Sequence, residues 1–323
     1  MGMDTIWSVF KTEIVLLGLY GLAFYLKKKS LISQDNEKCL TDILMKVALP
    51  VSVFLGLLIS PVILNLMFAP LLVYATAIFG GMIAYLVAEK VLKLNAASTG
   101  SLILCSGGGA ASITGFALVS SLYSGQWSAF TEAIISMGLG ISIVVLVLSI
   151  PVAIVFGNQK QGKKVVFNEL LKFLYSPIFL AFLLGGLAQL AGLPQKIVPV
   201  SGMINCFYLF WTVITAIAAA MLAGFVFSPV NRKIIAGAAI VVVLIKVLLQ
   251  PLFIRQTGMF LAVDPMWCGV LVMVAAMPSS LFMVVFARKY GCDAPLASAL
   301  VLVTTLFSLI SLPIIYSFTL SRF

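Results

Sequence analysis

Histidine is missing from all 323 residues, and Asp and Glu together number only ten. Without imidazole there is no Ser-His-Asp constellation, no histidine proton relay and no histidine metal ligand. Charge of either sign is scarce: 9% of residues are charged, whereas soluble domains carry roughly a quarter. Cysteine offers no staple either. Cys39, Cys105, Cys206, Cys268 and Cys292 are odd in number and widely spaced, which fits neither a disulfide framework nor a zinc pattern, so they read as small buried residues. No phosphate-cradling glycine loop ends in Lys and Ser/Thr, which argues against ATP-driven transport by this chain alone. No catalytic residue, metal site or cofactor is expected, and the chain does not read as an enzyme.

What fills the sequence instead is apolar: 62% of residues are hydrophobic and the mean hydropathy is +1.19. That is the composition of a polytopic membrane protein. Taking about 20 apolar residues per crossing, ten spans are read at 6–26, 39–59, 66–88, 97–122, 129–156, 170–192, 199–227, 234–254, 266–287 and 294–318. The first span reads as a retained helix rather than a cleaved leader, because it is long and is followed by Lys27, Lys28 and Lys29.

The net charge of +10 lies in the loops and describes topology rather than a nucleic-acid surface. Alternate loops place Lys27, Lys28, Lys29, Lys38, Lys90, Lys93, Lys160, Lys163, Lys164, Lys172, Arg232, Lys233, Arg288 and Lys289 on one side. Lys196, Arg255 and Arg322 fall on the other. The crowded side is therefore expected to be cytoplasmic, with both termini external or periplasmic in a plasma (inner) membrane.

The longest connection divides the chain into residues 1–156, a cytoplasmic linker at 157–169, and residues 170–323. Leu16-Leu17-Gly18 recurs as Leu183-Leu184-Gly185, and Ser149-Ile150-Pro151-Val152 as Ser311-Leu312-Pro313-Ile314, at offsets of 167 and 162 residues. Two halves of five spans each must insert with opposite orientation, the inverted repeat found in secondary transporters. Chance coincidence of common membrane residues is the competing account.

Against that background the stretch Cys105-Ser106-Gly107-Gly108-Gly109-Ala110-Ala111-Ser112 stands out in the fourth span. An unwound backbone in hydrocarbon is tolerated only where protein or a wet cavity covers it, although small residues also serve close helix packing. The repeat predicts a matching break near residue 273, and Val274-Ala275-Ala276-Met277-Pro278-Ser279-Ser280 supplies one in the ninth span. Half-helix N-termini at such a crossing would present unpaired N–H groups to a carboxylate. Candidate substrate contacts are Ser106, Gly107, Gly108, Gly109, Ser112, Thr114, Pro278, Ser279 and Ser280, unless the hydroxyls bond back to their own helices.

Lys246 lies too deep in the eighth span to snorkel, with Gln250 one turn further on the same face. It is either an anion-attracting group or an ammonium bonded to helix carbonyls. Asp42 and Lys46 are an i, i+4 pair near the cytoplasmic end of the second span, read as a simple ion pair or as a site for a coupling proton. Glu132, beside the outer end of the fourth span, is a further candidate.

The segments Asp42-Ile43-Leu44-Met45-Lys46-Val47-Ala48-Leu49-Pro50, Leu244-Ile245-Lys246-Val247-Leu248-Leu249-Gln250-Pro251-Leu252 and Ala276-Met277-Pro278-Ser279-Ser280, followed by Ala287-Arg288-Lys289-Tyr290-Gly291, resemble the auxin efflux carrier family in its short bacterial form. The resemblance implies an all-α polytopic fold of ten transmembrane helices in a five-plus-five inverted repeat. It also implies a scaffold domain from helices 1, 2, 6 and 7, and a transport domain in which broken helices 4 and 9 cross at the site. It implies movement of a small organic carboxylate such as malonate, malate or an auxin-like acid, and the leading reading is secondary active transport with a proton or sodium as coupling ion. A homodimer through the scaffold domain is an assembly compatible with it. One departure stands out: the family often carries Asn and Pro at the helix 4 crossing, where this chain has Gly107, Gly108 and Gly109. More recognition would then fall on backbone N–H groups and hydroxyls. A passive anion channel or a membrane-embedded ligand sensor on the same fold is the alternative.

Overall fold

In helix α1 (Phe68–Lys90) most of the exposed positions are large apolar side chains and most of the buried ones are small, Leu72 being a buried exception. Leu71, Ile78, Met82 and Leu86 are exposed, while Ala69, Ala77, Gly80, Gly81, Ala84 and Ala88 are buried. That is the reverse of a soluble helix. It is expected where the outer solvent is lipid and close helix approach, rather than hydrophobic segregation, holds the interior. The computed structural model describes residues 68–109, 148–158, 163–192 and 232–320, together with isolated positions between 14 and 55.

The remaining helices are α2 (Ala96–Gly107), α3 (Ile150–Gly157), α4 (Lys163–Leu174), α5 (Pro177–Leu190), α6 (Arg232–Leu244), α7 (Gln250–Phe260), α8 (Pro265–Ala275), α9 (Phe282–Tyr290) and α10 (Ala294–Leu320). A single π-helical turn, Ile245–Leu249, joins α6 to α7 into one rod. Among the described residues, three helices are long and apolar enough to cross a bilayer: Phe68–Lys90, Lys233–Phe260 and Ala294–Ile315. A fourth arises if α4 and α5, which meet at 41°, count as one bent span. The protein is thus an α-helical polytopic membrane protein.

The described helices differ from the expected ones in informative places. The linker at 157–169 is helical from Lys163 onward, because Val165, Val166, Leu170 and Phe173 recur at helical spacing and Phe173 is buried. Pro177 at the start of α5 stops α4 from continuing, and Ser176 Oγ caps the new helix by accepting from Phe179 N–H at 3.3 Å. The cysteines are not uniformly interior: Cys105 and Cys268 are buried, Cys292 is half-buried and Cys39 is exposed.

Two described units follow the same order. In one, α1 ends in a turn with Lys93 at φ 48°, Asn95 caps α2 by accepting from Ser98 N–H, and α2 breaks at Gly108. In the other, the α6–α7 rod ends in a turn with Ala262 at φ 48°, Asp264 caps α8 by accepting from Met266 and Trp267 N–H, and α8 breaks after Ala275. The units pack together: α1 lies against α2 and α7, and Phe79 stacks on Phe253 with ring centres 4.6 Å apart. Asp293 adds a polar tie. Its carboxylate caps α10 through Leu296 N–H and accepts from Ser98 Oγ at 2.7 Å, while its carbonyl accepts from Ser101 Oγ at 2.8 Å.

Candidate functional site

The two breaks touch. Gly109 and Ser279 form an isolated antiparallel pairing, and Ser280 N–H donates to Gly108 C=O at 3.2 Å. Ser279 Oγ donates to Cys105 C=O at 2.6 Å, so it serves the opposite broken helix rather than its own. Ser279 N–H donates to Thr304 Oγ1 of α10 at 3.2 Å. The donors freed where Pro278 interrupts the ninth span are therefore taken up largely by protein, as buried polar groups must be.

On the α2 side, the last carbonyls beyond Leu104, which accepts from Gly108 N–H at 2.8 Å, have no helical donors. Gln250 supplies one: its Nε2 donates to Ser106 C=O at 2.9 Å and to Thr76 C=O of α1 at 3.2 Å. The glutamine reaches across because α1 carries Gly80 opposite it, where a Cβ would collide with Nε2. Its placement follows from the π turn. Pro251 has no N–H to give to the preceding helix, and Gln250 N–H bonds instead to Ile245 C=O. Lys246 sits in that same turn, 3% exposed, roughly 20 Å by helical rise from either end of the rod. Among the described residues it forms no salt bridge; a Cβ placed on Gly109 would lie 3.4 Å from its Nζ.

These elements line a partly open cavity of about 50 Å³ bounded by Gly107, Gly108, Gly109, Lys246, Gln250 and Ser280, with Thr76, Ala77, Val274, Phe282 and Met283 among the rest. About 10–15 Å³ of such space holds one water, so the cavity has room for a few waters or a small solute. Of the expected contacts, Ser106, Pro278 and Ser279 form the frame rather than the lining. Ser106 Oγ is fully buried with no hydrogen-bond partner among the described residues. Ser112, Thr114 and Glu132 lie outside the described residues.

Met283 is the lining residue closest to the glycine break among those that sequence reading missed, which also include Thr76, Val274 and Phe282. Its thioether covers Gly108, such that a Cβ there would lie 2.5 Å from both Sδ and Cε. No local sequence signal marked it, because Ser279 and Ser280 lie in the break and the helix that carries Met283 begins only at Phe282. Asp42 and Lys46 are paired at 3.1 Å, and Lys289, beyond the end of the ninth span's apolar stretch, joins them at 3.2 Å. The Asp42 carboxylate is exposed and faces two ammonium groups, which favours its ionised form. That environment fits an electrostatic tie between distant parts of the chain better than a proton-accepting site.

Interrupted apolar helices that meet around a small, partly open cavity are an arrangement characteristic of membrane transporters. The sequence profile of the membrane transport protein family matches residues 8–316, and the chain belongs to this family, the auxin efflux carriers. It is 23% identical over 300 residues to an uncharacterized transporter of Methanocaldococcus jannaschii, covering 92% of this chain and 94% of that protein. It is 25% identical over 307 residues to an uncharacterized transporter of Methanothermobacter thermautotrophicus, covering 94% and 96% respectively.

Proposed function

We propose that the protein is a secondary active transporter of a small organic carboxylate, bound where the fourth and ninth helices cross. The observation that carries this reading is Lys246: a buried ammonium at the cavity, with no carboxylate against it among the described residues. An unpaired charge in a low-dielectric interior is costly unless a ligand completes it. A carboxylate does so while accepting from whatever N–H and hydroxyl donors the broken helices leave over.

The twin units, each a spanning helix followed by a capped and broken one, support a five-plus-five inverted repeat. With it comes an elevator movement of the crossing domain against a scaffold formed by the first, second, sixth and seventh spans. A homodimer through that scaffold and location in the plasma membrane with external termini belong to the same reading. Proton or sodium coupling would fall to a carboxylate such as Glu132, since Asp42 is exposed and paired.

The test is an uptake screen in proteoliposomes over mono- and dicarboxylates, with and without proton and sodium gradients. Saturable uptake with accelerated counterflow is expected. Flux without trans-stimulation would indicate a channel, binding without flux a sensor, and no uptake or binding of any carboxylate would overturn the proposal.

A further inference from the structure

Helix α4 (Lys163–Leu174) has three faces rather than two. Val166, Leu170 and Phe173 turn inward: Phe173 is buried and the other two pack on the core. Phe167, Leu171 and Leu174 repeat the same spacing one residue further on, so they share a second face, and they are exposed. Lys164, Asn168 and Lys172 form the next face round, also exposed, and Lys163 at the helix start is exposed as well. The helix carries three lysines against one carboxylate, Glu169, which already faces Lys172 at 2.7 Å. Across the bend Phe173 meets Phe179 edge to face, with ring centres 5.9 Å apart, and the turn exposes Tyr175. Beyond it the uncharged α5 exposes Leu180, Leu183, Leu184 and Leu187, as a helix in lipid does. Tyrosine settles at headgroup depth, which sets α4 at the bilayer surface.

We propose that α4 is a docking surface for anionic phospholipid: Phe167, Leu171 and Leu174 enter the edge of the acyl layer, and Lys163, Lys164 and Lys172 hold the headgroup phosphates. An apolar stripe flanked by lysines is what an interfacial helix presents to an anionic bilayer. The lysine stems lie along the apolar surface while their ammonium groups reach the phosphates. A soluble anion would satisfy the lysines but make no use of the stripe, and a second copy of this face would set lysine against lysine. These lysines fall on the side expected to face the cytoplasm, where the leaflet carries anionic lipid. The inference stands apart from what the protein carries.

The experiment uses full-length protein in micelles of a non-ionic detergent, titrated with phosphatidylglycerol or with phosphatidylcholine of the same acyl chains. Bound lipid is counted by native mass spectrometry. Phosphatidylglycerol is expected to bind at least about tenfold more tightly, and the preference should shrink as salt is raised. Changing all three lysines, as Lys163→Gln with Lys164→Gln and Lys172→Gln, is expected to remove the preference. Lys164→Gln alone is expected to cost about fivefold, which keeps the test in hand if the triple variant fails to fold. Lys90→Gln with Lys93→Gln, which removes two exposed lysines at the end of α1, is expected to keep the preference. Phe167→Ser with Leu171→Ser is expected to weaken binding of both lipids. Equal affinity of the parent protein for the two lipids would overturn the inference. So would a preference untouched by the α4 lysine changes, or one lost equally with Lys90 and Lys93. Displacement of phosphatidylglycerol by glycerol 3-phosphate, which has the charge without the chains, would assign the lysines to a soluble anion and overturn the lipid reading.

Discussion

Gly80 offers a substitution that ordinarily stabilises a helix and here should do the opposite. In the interior of α1, Gly→Ala alone would contribute up to about 1 kcal/mol. A Cβ at this position, however, collides with Gln250 Nε2 and stands 3.2 Å from Gln250 Cδ and 3.0 Å from Ile245 Cγ2. The amide must withdraw, breaking its bonds to the Ser106 and Thr76 carbonyls. Thr76 C=O lies mid-helix, where main-chain geometry provides a donor. Ser106 C=O lies in the last turn of α2 and is left buried without one, at a cost of about 1–3 kcal/mol. Set against the helix gain, Gly80→Ala should destabilise the protein by ~1–2 kcal/mol. In a Gln250→Ala background the amide is already gone, only the Ile245 methyl has to yield, and the same change should be neutral or stabilising. Denaturant titration of the four proteins in detergent micelles closes the cycle, with an expected coupling of ~1–3 kcal/mol. The reasoning fails if Gly80→Ala is at least as stable as the parent, or if its effect is the same in both backgrounds.

Gln250→Glu places a carboxylate four residues from Lys246 and against two carbonyl oxygens; it should abolish carboxylate uptake in the proteoliposome assay more completely than Gln250→Ala does. Gly108→Leu, whose side chain must displace Met283 and fill the cavity, should eliminate transport while the protein still inserts and elutes as a single species by size exclusion. Gly157→Ala drives a methyl into the Tyr290 carbonyl, main-chain atoms that cannot swing aside, so the yield of folded protein from membranes should fall sharply, with no such effect for Gly186→Ala, which meets open space.

The parts of this site that could be read from the sequence are those encoded locally. Three glycines at 107 to 109 and Pro278 each break a helix whatever surrounds them, and Lys246 with Gln250 share a face by spacing alone. The half-chain offset then placed one break opposite the other. What escaped was set by tertiary contact. Ser279 bonds to Cys105 C=O and not to its own helix, a choice fixed only once the breaks meet. Gly80 and Thr76 of α1 gave no local sign that they accommodate a glutamine from 170 or more residues away. Lys289 joins Asp42 across 247 residues. The helical start of α4 was hidden by Lys163 and Lys164, which read as loop charges because the lysine count dominates a topology argument.

The joint between the two broken helices is made of main-chain atoms, the Gly108 carbonyl and the Ser280 amide. Such a joint does not depend on which side chains its residues carry, provided they remain small enough to approach. The cavity wall beside it, by contrast, is made of side chains such as the ammonium of Lys246 and the thioether of Met283. Joint and lining are thus written in separate alphabets. If the crossing binds a carboxylate as proposed, replacing one lining residue would change which acid is held while leaving the main-chain joint in place.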